Sequence, residues 1–302
     1  MISKQIKADL TLLLITVVWG STFVLMKNAL DDIPTLKFLS IRFSVAFIAL
    51  ILIFNRKLLK VNRRSLFYSC ILGTLLYGGL GFQVAGLNYT AASKSAFITG
   101  LSVVLVPIFS AFILKKMPKL PAVIGVGLAF IGMVLLTSGI SLSFNFGDFL
   151  TLLAAVCLAF HIIFIDKFTN SEDSIILGVF QIGFAAAISI IVAFIFEVRP
   201  VIYSGDVIVA ILVTAIPATA LALVVQTVVQ KFTSPTHTAL IFIAEPVFGA
   251  IFAFLIPNEL GLRETLSIQG IIGCGLILLG MLISEIDLNS FLLKSILALK
   301  KE

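Results

Sequence analysis

The chain has 302 residues, of which 60% are hydrophobic and 12% charged, with a mean hydropathy of +1.19. Soluble domains carry about 25% charged residues, so a water-soluble fold of this length is excluded. The net charge of +6 comes from scattered Lys and Arg, with no long basic run, which argues against nucleic acid as a partner.

The apolar runs are continuous rather than alternating, so they read as helices and not as the strands of a membrane barrel. Their lengths lie near the ~20 residues that cross a bilayer as helix. Ten spans follow in chain order, at about 8–28, 35–54, 66–88, 94–114, 121–138, 148–167, 174–196, 206–230, 236–256 and 266–285. The first is too long for the apolar core of a signal peptide and lacks a small-x-small cleavage site. Cys70, Cys157 and Cys274 all lie inside apolar runs, with no metal-ligand or disulfide spacing; no metal site and no cofactor is expected.

Lys and Arg set the orientation. With the amino terminus inside, the inner segments hold Lys4, Lys7, Arg56, Lys57, Lys60, Arg63, Arg64, Lys115, Lys116, Lys119, Lys167, Lys231, Lys294, Lys300 and Lys301. The outer side holds only Lys27, Lys37, Lys94, Arg199 and Arg263. This bias predicts a multi-pass protein of the cell (inner) membrane with both termini cytoplasmic and the lipid bilayer as its surroundings.

The two halves resemble each other. Thr11–Lys27 lies over Thr151–Lys167 at an offset of 140, and Gln83 and Tyr89-Thr90 lie over Gln226 and Phe232-Thr233 at 143. Pro107-Ile-Phe-Ser-Ala-Phe lies over Pro246-Val-Phe-Gly-Ala-Ile, and Gly125 and Gly132-Met133 lie over Gly273 and Gly280-Met281 at an offset of 148. Repeats over 1–143 and 144–302 are therefore expected. Five spans per half is an odd number, so the second half enters the membrane from the opposite side. The expected fold is an all-α membrane protein of ten transmembrane helices, built as two inverted five-helix repeats. Secondary transporters commonly have this arrangement, with their substrate site at the repeat interface near the midplane.

Within this frame Glu245 is the residue that most needs explaining. It lies about ten residues into the ninth span, inside HTALIFIAEPVFGAIFAF, and an acid at that depth is costly and usually functional. It is the candidate carrier of a proton or partner of a substrate amine; the bland reading is a neutral Glu that fixes packing. Pro246 and Pro107 occupy matching places, and each frees the carbonyl four residues earlier, Phe242 and Val103. Pro217 breaks the eighth span. Gln83 and Gln226 are symmetry-related and suit either a polar substrate or interhelical bonding. His161 can titrate near neutral pH but is more often a packing residue. Arg42 either reaches outward to the interface or attracts an anionic substrate group. Trp19 lines a cavity wall or packs. Gly125, Ala129 and Gly132, with Gly273 and Gly280, form small-residue faces for close packing in the chain or in a homodimer through helices 5 and 10.

On Val17–Leu30, Arg42, Leu87–Phe112, Ala239–Phe254, Glu259 and Gly270–Met281, the chain resembles the drug/metabolite transporter superfamily, in particular its EamA-type members with two repeats. The resemblance implies a ten-helix inner-membrane transporter, commonly an exporter of amino acids or other metabolites, with a central cavity lined mainly by helices 1, 3, 4, 6, 8 and 9. The acid that often ends helix 4 is missing, with Lys115-Lys116 near its place; only Glu259 represents it, in the second repeat.

The leading expectation is a secondary-active or facilitative transporter of a small molecule that works by alternating access, with protons as the candidate coupling ion. Efflux of drugs or cationic compounds, and a non-transport scaffold, are the alternatives. An enzyme is not expected: no phosphate loop, HExxH helix, Ser–His pair or Asp pair is present, and Asp148 and Asp166 lie at opposite ends of one span.

Overall fold

The computed structural model describes residues 3–29, 32–90, 92–115, 117–137, 144–197, 199–255 and 267–284. Glu259, Arg263, Lys116 and the tail with Lys294, Lys300 and Lys301 lie outside the described residues, as does the side chain of Lys27.

Helices fill the described residues. The first three are α1 (Lys4–Ala29), α2 (Thr35–Leu58) and α3 (Arg63–Leu87). The fourth span is divided into α4 (Ala92–Gly100) and α5 (Ser102–Ile113), and α6 (Leu120–Leu136), α7 (Phe146–Thr169) and α8 (Ser174–Phe196) follow. The eighth span is composite. It comprises α9 (Gly205–Ala215), a π-helical segment Ile216–Leu221, α10 (Ala222–Val229) and a short 3₁₀ turn at Gln230–Phe232. The ninth is divided into α11 (Pro235–Phe242) and α12 (Glu245–Leu255), and α13 (Ile268–Ser284) is last.

Seven continuous stretches, of 20 to 28 residues, are long and apolar enough to cross a bilayer. α6 and α13 are shorter apolar helices of 17 residues each, and α1 has 26. Large apolar side chains such as Leu52, Phe112, Phe194 and Ile272 face outward, as lipid-facing residues do.

The ends are set by recognisable caps. Asn62 caps α3 and Ser204 caps α9, and Asn145 and Asp148 form a capping box on α7. The start of α2 is capped from elsewhere: Glu197 accepts from the backbone N–H of Leu36 (3.1 Å) and Lys37 (2.7 Å), and the Lys37 ammonium donates to the Arg199 carbonyl. The chain end of α8 is thereby tied to α2.

The inverted relation of the halves is visible in the packing of α6 on α13. A Cβ on Gly125 would meet the Gly280 carbonyl at 2.5 Å, and one on Gly132 would meet the Gly273 carbonyl at 2.6 Å. Position rises along one helix as it falls along the other, so the pair is antiparallel. Gly125 corresponds to Gly273 and Gly132 to Gly280, so each contact is the other's mirror under exchange of halves, as a local two-fold axis requires. The same exchange relates α5 on α7 to α12 on α1, and α4 on α7 to α11 on α1. The small-residue faces thus close on each other inside one chain.

The four-residue drift between the repeats has a local cause in the fourth and ninth spans. α4 and α11 begin 143 residues apart, but Pro107 and Pro246 are 139 apart. α5 already runs from Ser102 with Pro107 in its interior, whereas Pro246 stands second in α12. In the first helical turn the missing N–H of Pro has no bond to lose.

Candidate functional site

Two helix irregularities meet in the interior. In the eighth span Pro217 has no N–H, and the helix widens to π geometry over Ile216–Leu221. The Ala222 N–H reaches back to the Pro217 carbonyl, and the Thr219 hydroxyl donates to the Thr214 carbonyl at 2.8 Å. A carbonyl freed inside a membrane must find a donor in the protein. The Trp19 indole Nε1 supplies one to Ala218 at 2.7 Å, and the indole also packs edge-on to Phe242, with centroids 4.9 Å apart.

Arg42 reaches the same segment. Its Nε donates to Thr219 Oγ1 at 2.6 Å, and Nη1 lies 3.7 Å from Met26 Sδ. Nη2 makes no hydrogen bond among the described residues. Arg42 is 8% exposed, so the guanidinium faces the interior and does not reach the outer interface. The outward reach to the interface is therefore not the conformation adopted.

In the ninth span the break falls at Ile243–Ala244, just ahead of Glu245. Ala244 bonds back only three residues, to Ile241, and the helix restarts at Glu245. The carboxylate therefore sits in the first turn of α12, where the partial positive charge of the helix end favours an anion. It lies mid-span and is only partly buried. Among the described residues it makes no hydrogen bond or ion pair. Glu245 and Arg42 are within electrostatic reach of each other. The neighbourhood is held by Gly20, whose Cβ would collide with Phe248 Cβ at 2.6 Å, so α1 and α12 touch backbone to backbone.

Glu245, Arg42, Trp19, Pro217 and Pro246 are thus brought together. Pro107 lies in the matching half, buried in α5, with no acid beside it. Three other candidates belong to packing networks. His161 Nε2 bonds Gln181 Oε1 at 2.8 Å, Gln181 donates to Thr227 Oγ1 at 2.9 Å, and Thr227 donates to the Leu223 carbonyl. All three side chains are buried, and they join α7, α8 and α10. His161 is thus held in a hydrogen-bonded joint of three helices. Gln226 donates to Gln230 Oε1 at 3.2 Å, and Gln230 donates to the Ile162 carbonyl at 2.6 Å. Gln226 Oε1 is buried without a partner. Gln83 is half-buried and donates to Thr99 at 3.2 Å, joining α3 to α4.

Thr219 and the Ala218 carbonyl were not foreseen as parts of this centre. The signal available was Pro217 in the middle of an apolar run. A second arrangement has no signal in the sequence: Lys94 Nζ pairs with Asp148 Oδ2 at 2.6 Å, and Thr90 donates to Oδ1 at 2.6 Å. No group of three or more His, Cys, Asp or Glu that could hold a metal occurs among the described residues.

Long apolar helices with outward-facing apolar side chains define a multi-pass membrane protein. The EamA-like transporter family model matches residues 6–138 and again 145–285. The chain belongs to that family. It is 34% identical over 280 residues to an uncharacterized transporter of Archaeoglobus fulgidus, spanning 93% of this chain and 86% of that one. It is 25% identical to the uncharacterized transporter YoaV of Bacillus subtilis, over 92% of this chain and 96% of that one. A solved crystal structure shares the fold with a TM-score of 0.74, covering 93% of this chain and 97% of the other at 18% identity.

Proposed function

We propose that this protein is a secondary transporter that moves a small zwitterionic metabolite, an amino acid or a related compound, by alternating access between its two repeats. The observation that carries the reading is Glu245. It is a partly buried acid at a helix restart, mid-span, with no bonded partner among the described residues and Arg42 within electrostatic reach. Discontinuous helices that aim their ends at a midplane site are the usual substrate-binding device of such folds.

The chemistry suits a zwitterion. Glu245 offers charge to an ammonium group. Arg42, pinned through Nε to Thr219, keeps Nη2 for a carboxylate. A purely cationic compound would gain from Glu245 and lose to Arg42, so the cationic-efflux alternative fits less well. Trp19 packs its ring edge-on to Phe242 while its N–H holds the widened helix.

Protons are the proposed coupling ion and Glu245 their carrier, exchanging a proton for the substrate ammonium in each cycle. The proposed direction is export, as the resemblance implies, and the Lys and Arg bias supports cytoplasmic placement of both termini. No enzymatic step is assigned. The test is counterflow of radiolabelled amino acids in proteoliposomes. Saturable uptake that competes with zwitterions and not with the matching amines or acids supports the reading. Equal competition by simple amines would favour cationic efflux.

A further inference from the structure

The Lys94–Asp148 pair lies away from the centre described above and joins the two repeats. Lys94 is in α4 and Asp148 is in the first turn of α7. The pair is largely sheltered, with side chains 12% and 0% exposed, and Thr90 at the end of α3 completes the cluster. Asp148 is further fixed by the Asn145 backbone N–H at 2.8 Å. Three helix ends are therefore fastened at one carboxylate.

The exchange of halves carries this cluster to the other end of the molecule. At the 143-residue offset, Thr90 corresponds to Thr233 and Lys94 to His237, matching the starts of α4 and α11 at residues 92 and 235. Asp148 falls, within one residue of the 140-residue offset, on Asp9 of α1. Asp9 is 8% exposed and Thr233 is 8% exposed. α11 packs against α1, and His237 Nδ1 lies 3.3 Å from Gln5 Nε2, one helical turn before Asp9 on the same face. The basic residue at the start of the broken helix thus faces an acid-bearing first helix of the other repeat at each end.

We propose that Lys94–Asp148–Thr90 and His237–Asp9–Thr233 are equivalent latches that close opposite ends of the central path, and that release of one accompanies closure of the other. The proposal rests on the transport reading for its purpose, but its geometry is independent of the substrate. An inverted repeat makes the two end states related by exchange of halves, so a fastening used at one end has its counterpart at the other. Because a ligand or mutation shifts such an equilibrium only through a difference between the two states, loss of one latch favours the state open at that end.

The test uses thiol accessibility in proteoliposomes, in a background with Cys70, Cys157 and Cys274 replaced by Ala. Ser95→Cys and Thr238→Cys are the reporters; they correspond at the 143-residue offset, and the residues they replace are 1% and 0% exposed. A membrane-impermeant maleimide is applied from each side. Lys94→Ala is expected to speed labelling at Ser95→Cys by about tenfold and to slow it at Thr238→Cys. His237→Ala is expected to do the reverse. Lys94→Arg and His237→Lys should restore the parent rates. Thr90→Val, a milder change, should shift labelling in the same sense as Lys94→Ala. Unchanged labelling at Ser95→Cys, or faster labelling at both ends together, overturns the latches. Reciprocal labelling without any substrate flux would retain the latches and refute the transport reading; flux without reciprocal labelling would do the opposite.

Discussion

Arg42 Nε donates to Thr219 Oγ1 across 2.6 Å, tying the second helix of the first repeat to the widened turn of the eighth span. The Thr219 hydroxyl in turn donates to the Thr214 carbonyl. The irregular helix and the buried cation therefore satisfy each other. The arginine gains an acceptor, and the turn gains a cross-brace from the opposite repeat.

Replacing Thr219 by Val keeps the shape and removes the acceptor. Arg42 is expected to lose its fixed direction, and substrate affinity should fall by about tenfold or more, since a charged group loses a buried hydrogen bond. Equilibrium binding to the purified protein measures this. An unchanged affinity would place Arg42 outside the site.

Trp19→Phe retains the edge contact with Phe242 but leaves the Ala218 carbonyl without its donor. A loss of stability of about 1 kcal/mol is expected, in the range of interhelical bonds in membrane proteins. Reversible unfolding in mixed micelles reads it directly.

Gly132→Ala and Gly127→Ala separate close packing from helix propensity. At Gly132 the new methyl would meet the Gly273 carbonyl at 2.6 Å, whereas at Gly127 it meets nothing within 4 Å. The first should destabilise by about 1–3 kcal/mol through overpacking. The second should be neutral, or stabilising by up to about 1 kcal/mol. Similar effects at both positions would refute the antiparallel seam between α6 and α13.

Glu172, in the turn between α7 and α8, is held below the ordinary carboxyl range. Hydrogen bonds from Ser65 (2.5 Å) and Asn62 (3.1 Å) do most of this, and Arg64 adds its charge. A folded-state pKa below the unfolded one means stability that is present above the unfolded value. That stability disappears as pH falls through the folded one. Unfolding measured from about pH 6 to pH 3 should show this loss, and Glu172→Gln should flatten it.

Much of the fold was legible because lipid imposes a simple rule, namely about 20 apolar residues per crossing. The seventh span was expected at 174–196, and α8 occupies Ser174–Phe196. Helix interruptions were legible only in part. Pro217 marked the π segment, but the Trp19 and Arg42 side chains bonded to it come from distant parts of the chain. Pro107 suggested a break at Val103, yet the interruption is at Leu101, beside Gly100, where Met133 fills the space a side chain would need. Sequence offers no signal for that contact. The direction of Arg42 was open for the same reason, since a long side chain in one span can point out or in. The partners of Glu197 and Asp148 lie on other helices, and only packing brings them together.

His161 and Gln181 show the limit in the other direction. Each alone is a polar residue in a membrane helix and invites a functional reading. Paired at 2.8 Å and buried, they are a hydrogen-bonded joint. Replacing His161 by Gln, which can still meet Gln181, should leave flux per folded molecule within about twofold of the parent.

The most direct measurement is substrate-driven proton movement with Glu245→Gln in proteoliposomes, followed by a pH dye inside the vesicles alongside labelled substrate. The account predicts that the parent couples the two fluxes, and that the variant folds, still binds Arg42-directed carboxylates weakly, and moves no protons with substrate. Coupled proton and substrate flux of parental size in Glu245→Gln would contradict it.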